Sequence, residues 1–245
     1  MTRKGRRGRY TLLVVVLVIV IAGFSAHDRS GESDPSSSAQ GGTGGPTPTT
    51  SVDGPTGDAF PTTSPVDLSQ IRVDDSVPAD PYLRAAFGPA WADADRNGCD
   101  TRNDVLARDL TDVTYKPGTH DCVVTSGTLA DPYTGTTVTF TKGADTSPLV
   151  QIDHIVPLAY AWRHGASAWT DARRLAFAND QNNLQATSGS ANQAKSSKGP
   201  AAWMPADRAD WCQYATQFAT TLITWDLTTT ADDKAALATG LATCQ

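Results

Sequence analysis

Residues 150–160 read VQIDHIVPLAY, and residues 179–198 read NDQNNLQATSGSANQAKSSK. In the first stretch the strand-like run Val150-Gln151-Ile152 ends at Asp153 and His154. Pro157 then stops it, because proline cannot continue a ladder and restricts Val156 before it. In the second, Asn182 and Asn183 precede a short strand pattern at 184–187, and Asn192 and Lys195 follow on a brief helical run. Around the strand end, the second strand and the short helix, Asp153, His154, Asn183 and Asn192 therefore bring together a carboxylate, an imidazole and carboxamides. The fold expected around them is α+β with small sheets.

Those side chains are the parts of a metal-assisted phosphodiester hydrolase. A hard ion such as Mg²⁺ takes oxygen ligands and completes its shell with water and substrate phosphate, so Asp153 and the amide oxygen of Asn192 suffice as protein ligands. His154 titrates near neutrality and can take a proton from attacking water. Asn183 is placed to fix the tautomer of that ring by a hydrogen bond. Neighbours on a regular strand point to opposite faces, so Asp153 and His154 can share a site only if the strand ends there and the backbone turns.

Periodicity supplies the surroundings. Helices are expected over 101–110, 158–163, 170–178, 207–225 and 230–243, and strands over 122–125, 136–141, 149–153 and 184–187. The helix over 207–225 is the clearest, with Trp211, Tyr214, Ala215, Phe218, Leu222 and Trp225 spaced three and four apart.

The chain has 245 residues and a net charge of −6, yet Arg3, Lys4, Arg6, Arg7 and Arg9 all lie in the first ten positions. The remainder carries 15 basic against 26 acidic residues, which excludes a protein that grips nucleic acid by bulk charge. That basic head precedes thirteen uncharged, mostly aliphatic residues at 12–24, so residues 1–26 read as a signal peptide or an N-terminal membrane anchor. An extracellular protein is expected, secreted or held to the outer face of the cytoplasmic membrane. Residues 27–79 contain seven Pro and seven Gly among Ser, Thr and Asp, and read as a disordered spacer. Residues 80–245 are the folded domain. They hold all four cysteines, Cys99, Cys122, Cys212 and Cys244, without a CxxC pair, and outside the cytoplasm that points to two disulfides. Three pairings exist; Cys99 with Cys122 and Cys212 with Cys244 is preferred because each then ties neighbouring elements.

The segment DHIVPL at 153–158, with Asn183-Leu184 and Asn192 to Lys195, resembles the HNH, or ββα-metal, nuclease motif. The larger region 82–244 is similar to the HNH family represented by the C-terminal domain of the GmrSD restriction endonucleases. That similarity also draws on GCDTR at 98–102, DPY at 131–133, Ala161-Trp162 and FAND at 177–180. The resemblance implies a ββα-metal (His-Me finger) core, and cleavage of DNA with His154 as base, Asp153 and Asn192 as metal ligands and Asn183 orienting His154. Asn192 stands where many relatives carry His, which favours Mg²⁺ over a softer ion. No nucleotide cofactor is expected.

The expectation is therefore a DNA endonuclease of low sequence specificity that leaves 5′-phosphate ends, with RNA left open as a second substrate. Two alternatives remain: a non-catalytic cell-surface binding module on the same scaffold, and a nuclease toxin cargo. Arg102 and Lys195 are the candidate substrate contacts, with Lys198, Arg173 and Arg174 as further cations. His120 and His164 read as surface residues. Asp93, Asp95, Asn97, Gly98 and Asp104 fit the spacing of a Ca²⁺ loop, although a polar turn capping the next helix is the preferred reading.

Overall fold

The computed structural model describes residues 66–76 and 81–244. The expected export segment and most of the spacer lie outside them. Two 3-10 turns, Leu68–Gln70 and Arg84–Phe87, precede α1 (Thr101–Asp109), β1 (Leu110–Tyr115), β2 (Val124–Asp131), β3 (Thr136–Thr141) and β4 (Val150–His154). Then come α2 (Leu158–Arg163), α3 (Asp171–Ala178), β5 (Leu184–Ser188), α4 (Gly189–Lys195), α5 (Trp211–Thr224) and α6 (Ala231–Leu241). β1, β2 and β3 form one antiparallel sheet, and β4 pairs with β5 in a second, with Asp153 opposite Gln185 and His154 opposite Leu184.

The helices start where their side chains can satisfy the first free N–H groups. Asp100 accepts from Asn103 N, Thr170 from Arg173 N, Ser188 from Ala191 N and Thr230 from Asp233 N. Tyr214, Ala215, Phe218 and Leu222 of α5 are buried as their spacing predicts, and join Phe87, Tyr133, Tyr160, Trp162 and Phe177 in an aromatic core. A second, aliphatic core lies between α1 and the two sheets, from Val105, Leu106, Leu110, Leu129, Phe140, Val150, Ile152 and Leu184. β4 lies between them: Val150 and Ile152 face the aliphatic core, and Asp153, on the opposite face, bonds Tyr133 of the aromatic one.

The disulfides are Cys99–Cys122 and Cys212–Cys244, the preferred pairing. The first ties the start of α1 to the approach to β2, and the second closes α5 against α6.

Two expectations are corrected. Residues 66–76, read as the end of the spacer, lie on the folded body: Ile71 is buried, Val73 bridges to Thr229, and Arg72 meets Asp226 at 2.9 Å. Ile71, with Val66 and Leu68 partly buried beside it, does this, and the polar composition of the stretch averages those few apolar residues away. His164 is buried rather than at the surface, because its ring stacks on Tyr160 and its backbone carbonyl accepts from Thr228 N. Among the described residues no helix is long and apolar enough to cross a membrane.

Candidate active site

β4 does run through Asp153 and His154, and the chain leaves the ladder at Ile155. The two side chains nevertheless border one cleft of about 290 Å³, with Ile152, Pro157, Leu158 and Asn192 around it and Tyr82 and Arg84 on its rim. Three consecutive residues of a strand can line one opening because β4 has a partner on one side only, and its open edge brings both faces into view.

His154 is half-buried. Its Nε2 lies 2.9 Å from the Ala178 carbonyl oxygen, which can only accept, so Nε2 carries the proton and Nδ1 keeps a free lone pair. Trp91 lies nearly parallel to the ring, 10° between planes and 6.0 Å between centroids. Burial, opposed by the Ala178 bond and reinforced by the charges of Arg84 and Lys195, pulls the imidazole down to about 4. At neutral pH the ring is uncharged and able to accept a proton.

Asn183 does not touch that ring. It is fully buried, its Oδ1 accepts from Val156 N at 2.8 Å, and its Nδ2 donates to Val156 O at 3.2 Å. Its backbone carbonyl takes Ile155 N as well. Asn183 thus clamps the backbone that leaves β4, and the ring is held by Ala178 and Trp91 instead.

Asp153 is buried and accepts from the Tyr133 hydroxyl at 2.7 Å. Its other partner is Lys195, whose ammonium lies 3.0 Å from Oδ1, 2.9 Å from Oδ2 and 2.8 Å from the His154 carbonyl. Burial pushes the Asp153 carboxyl up and the Lys195 ammonium down, and each charge opposes the other's shift. The side chain has no exposed surface and its ammonium is committed to the Asp153 carboxylate and the His154 carbonyl, so Lys195 is not presented to a phosphate. This corrects its expected substrate contact. Arg102 is not among the residues that line this cleft; its guanidinium donates to the Val150 carbonyl at 3.0 Å and braces α1 against the start of β4. Arg174 is internal, bound to the carbonyls of Ala86 and Ala166, and Lys198 donates to Ala194 O.

Asn192 Nδ2 donates to Gln151 Oε1 at 2.9 Å, so Oδ1 is the amide oxygen left for a ligand. The Asp153 carboxylate accepts at Oδ2 from Tyr133 and at Oδ1 from Lys195, which leaves lone-pair positions for a further ligand. One carboxylate oxygen and one amide oxygen on a shared cleft suit a hard cation. Among the described residues no three His, Cys, Asp or Glu groups converge, so such an ion would draw most of its shell from water and substrate, as Mg²⁺ does.

In the Asp93–Asp104 loop the polar groups bind one another. Gly98 N donates to Asp93, and Asn97 Nδ2 donates to Asp95 and Asp104. Through Asp100, the cap of α1, the segment runs into that helix.

Tyr133, Trp91 and Arg84 are site residues that carried no assigned role in the sequence reading. Tyr133 stood in the quoted DPY triplet. Trp91 and Arg84 precede Asp153 by 62 and 69 residues, and no spacing rule connects them to it.

Residues 100–239 match the family described as GmrSD restriction endonucleases, C-terminal domain. A relative from Arthroderma benhamiae, named "Uncharacterized secreted protein", is 39% identical over 179 residues, covering 72% of this chain and 82% of its own. No solved structure matches the chain.

Proposed function

This chain belongs to the family of the GmrSD restriction endonuclease C-terminal domain, and on that premise we propose that it hydrolyses DNA phosphodiester bonds with His154 as the general base. The observation that carries the reading is the bond from His154 Nε2 to the Ala178 carbonyl, which leaves Nδ1 as an acceptor on the cleft shared with Asp153 and Asn192. In this reading β4, β5 and α4 are the two strands and the helix of a ββα-metal core.

Water attacks phosphorus while its proton passes to Nδ1, the bond to one deoxyribose oxygen breaks, and that oxygen leaves as an alcohol after taking up a proton from solvent. A base near 4 is weak, and burial is the main reason; an anionic phosphate in the cleft opposes only the smaller contribution, from the charges of Arg84 and Lys195. Asn183 keeps the strand exit, and with it the imidazole, in register. Asp153 and Asn192 would hold a divalent ion, which when bound supplies neutralisation of the charge growing on the phosphate. Lys195 and Tyr133 fix the carboxylate for that role. The apolar run behind a basic head at the N-terminus and the name of the Arthroderma benhamiae relative support an extracellular location.

Plasmid DNA incubated with the protein and Mg²⁺ tests the reading. Nicking and linearisation are expected, with loss of both in EDTA and in His154→Ala at unchanged thermal midpoint. Intact plasmid with the wild-type protein and Mg²⁺ would overturn it and favour the binding-module alternative.

A further inference from the structure

A phosphodiester brings a negative charge into a cleft whose own carboxylate is already paired. The cations near it are engaged elsewhere: Lys195 on Asp153, Arg102 on the Val150 carbonyl, Arg163 on the Ser197 carbonyl. Arg84 differs. It is exposed on the cleft rim and makes no ion pair among the described residues, and its one hydrogen bond, to the Gly88 carbonyl, is long at 3.4 Å. Most of its five donors are free, in the planar fork that matches phosphate oxygens.

Its mount is rigid. Phe87, three residues on, has no exposed surface and sits 6.2 Å from the rings of both Trp162 and Phe177. Arg174 donates to the Ala86 carbonyl from below. At Gly88 the backbone turns with φ at 75°, and a side chain there would meet Leu175 Cδ1 at 2.9 Å. The 3-10 turn is thus fixed to α2 and α3 by its C-terminal half, and its first residue is left to point a charge at the cleft.

We propose that Arg84, which precedes the family-matched residues 100–239, is the side chain that binds the phosphate of the nucleic-acid substrate in this cleft. The proposal rests on the nuclease reading for its substrate, and its contact is sequence-independent because a phosphate carries no base identity. Lys195 cannot take this role, and among the described residues no other cation lines the cleft.

The test uses the whole protein with Arg84→Gln and Arg84→Lys, read by cleavage of a short duplex at several salt concentrations. A second arm measures binding of the same duplex by His154→Ala, with and without Arg84→Gln. Arg84→Gln is expected to raise KM and Kd about tenfold, the loss of one charge-assisted hydrogen bond. It should also reduce the slope of log Kd against log salt by about one. Arg84→Lys should recover part of the affinity, and the thermal midpoint should not move. KM, Kd and salt slope equal to wild type would overturn the proposal. A loss in kcat alone would overturn it too, because Arg84 would then act on the imidazole. If the wild type cuts nothing, the nuclease reading fails on its own, and the binding arm still decides: loss of duplex affinity in Arg84→Gln upholds the contact, and no binding by either protein overturns it.

Discussion

Lys195 and Asp153 form an ion pair that solvent does not reach: the ammonium lies 3.0 Å from Oδ1 and 2.9 Å from Oδ2, with side-chain exposures of 0% and 5%. They are 42 residues apart and tie α4 across the end of β4. The ammonium also donates to the His154 carbonyl at 2.8 Å, so the same residue that neutralises Asp153 also pins the backbone beneath the imidazole.

Lys195→Met leaves the Asp153 carboxylate buried with Tyr133 as its remaining side-chain donor. Breaking a buried pair from one side costs about 3–5 kcal/mol, whereas replacing both partners by apolar groups is often neutral. Lys195→Met should therefore unfold at much lower urea than wild type. Lys195→Met with Asp153→Leu should recover most of the loss while remaining inactive. A single variant as stable as wild type would refute the pairing.

Asn183→Ala removes the donor and the acceptor that satisfy Val156 N and O, both buried. Two backbone groups left unpaired cost about 2–4 kcal/mol together, and the chain leaving β4 loses its register. Denaturant melts should show that loss, and cleavage should fall with it. Full stability with reduced cleavage would mean that Asn183 acts on the imidazole, as first expected from the motif.

What the sequence made legible follows from local periodicity and caps. The stripe of α5 and the cap threonines Thr170 and Thr230 are short-range signals, and the helices stand within a few residues of their expected bounds. β1 was missed because LTDVTY follows directly on α1, without a turn residue between them to mark the change of period. At the site, Asp153, His154 and Asn192 could be brought together from chemistry alone. The fates of Lys195, Arg102 and Asn183 could not, since each is decided by a partner far along the chain, and for Arg102 and Asn183 that partner is a backbone group that no residue type reveals.

The two disulfides should matter in different places. Each closes a loop, of 23 and 32 residues, and removal costs about 3 kcal/mol in the chain-entropy model. Ser at Cys212 and Cys244 should expose the α5–α6 face to hydrogen exchange first. Ser at Cys99 and Cys122 should loosen the α1 start, and with it the Arg102 brace on β4. Identical exchange maps for the two double variants would contradict this division.

Asp210 sets a pH dependence. Its carboxyl is buried at the start of α5, Oδ2 lacks a partner, and burial with the nearby Asp207 and Asp131 charges pushes it up to about 8. The unfolded chain releases this proton near 3.8 and the folded protein only near 8. The folded state therefore holds more protons across that window, and the contribution of Asp210 to stability falls as pH rises, by at most about 1.4 kcal/mol per pH unit. Asp210→Asn keeps a neutral side chain of the same shape at every pH. Its stability relative to wild type should be close to level at pH 4, grow steadily, and flatten above pH 8. Urea titrations of both proteins at intervals from pH 4 to 9 give that difference directly, and because the other titrating groups are common to both they cancel from it. A difference that stays constant over the range would show that Asp210 is already ionised in the folded protein.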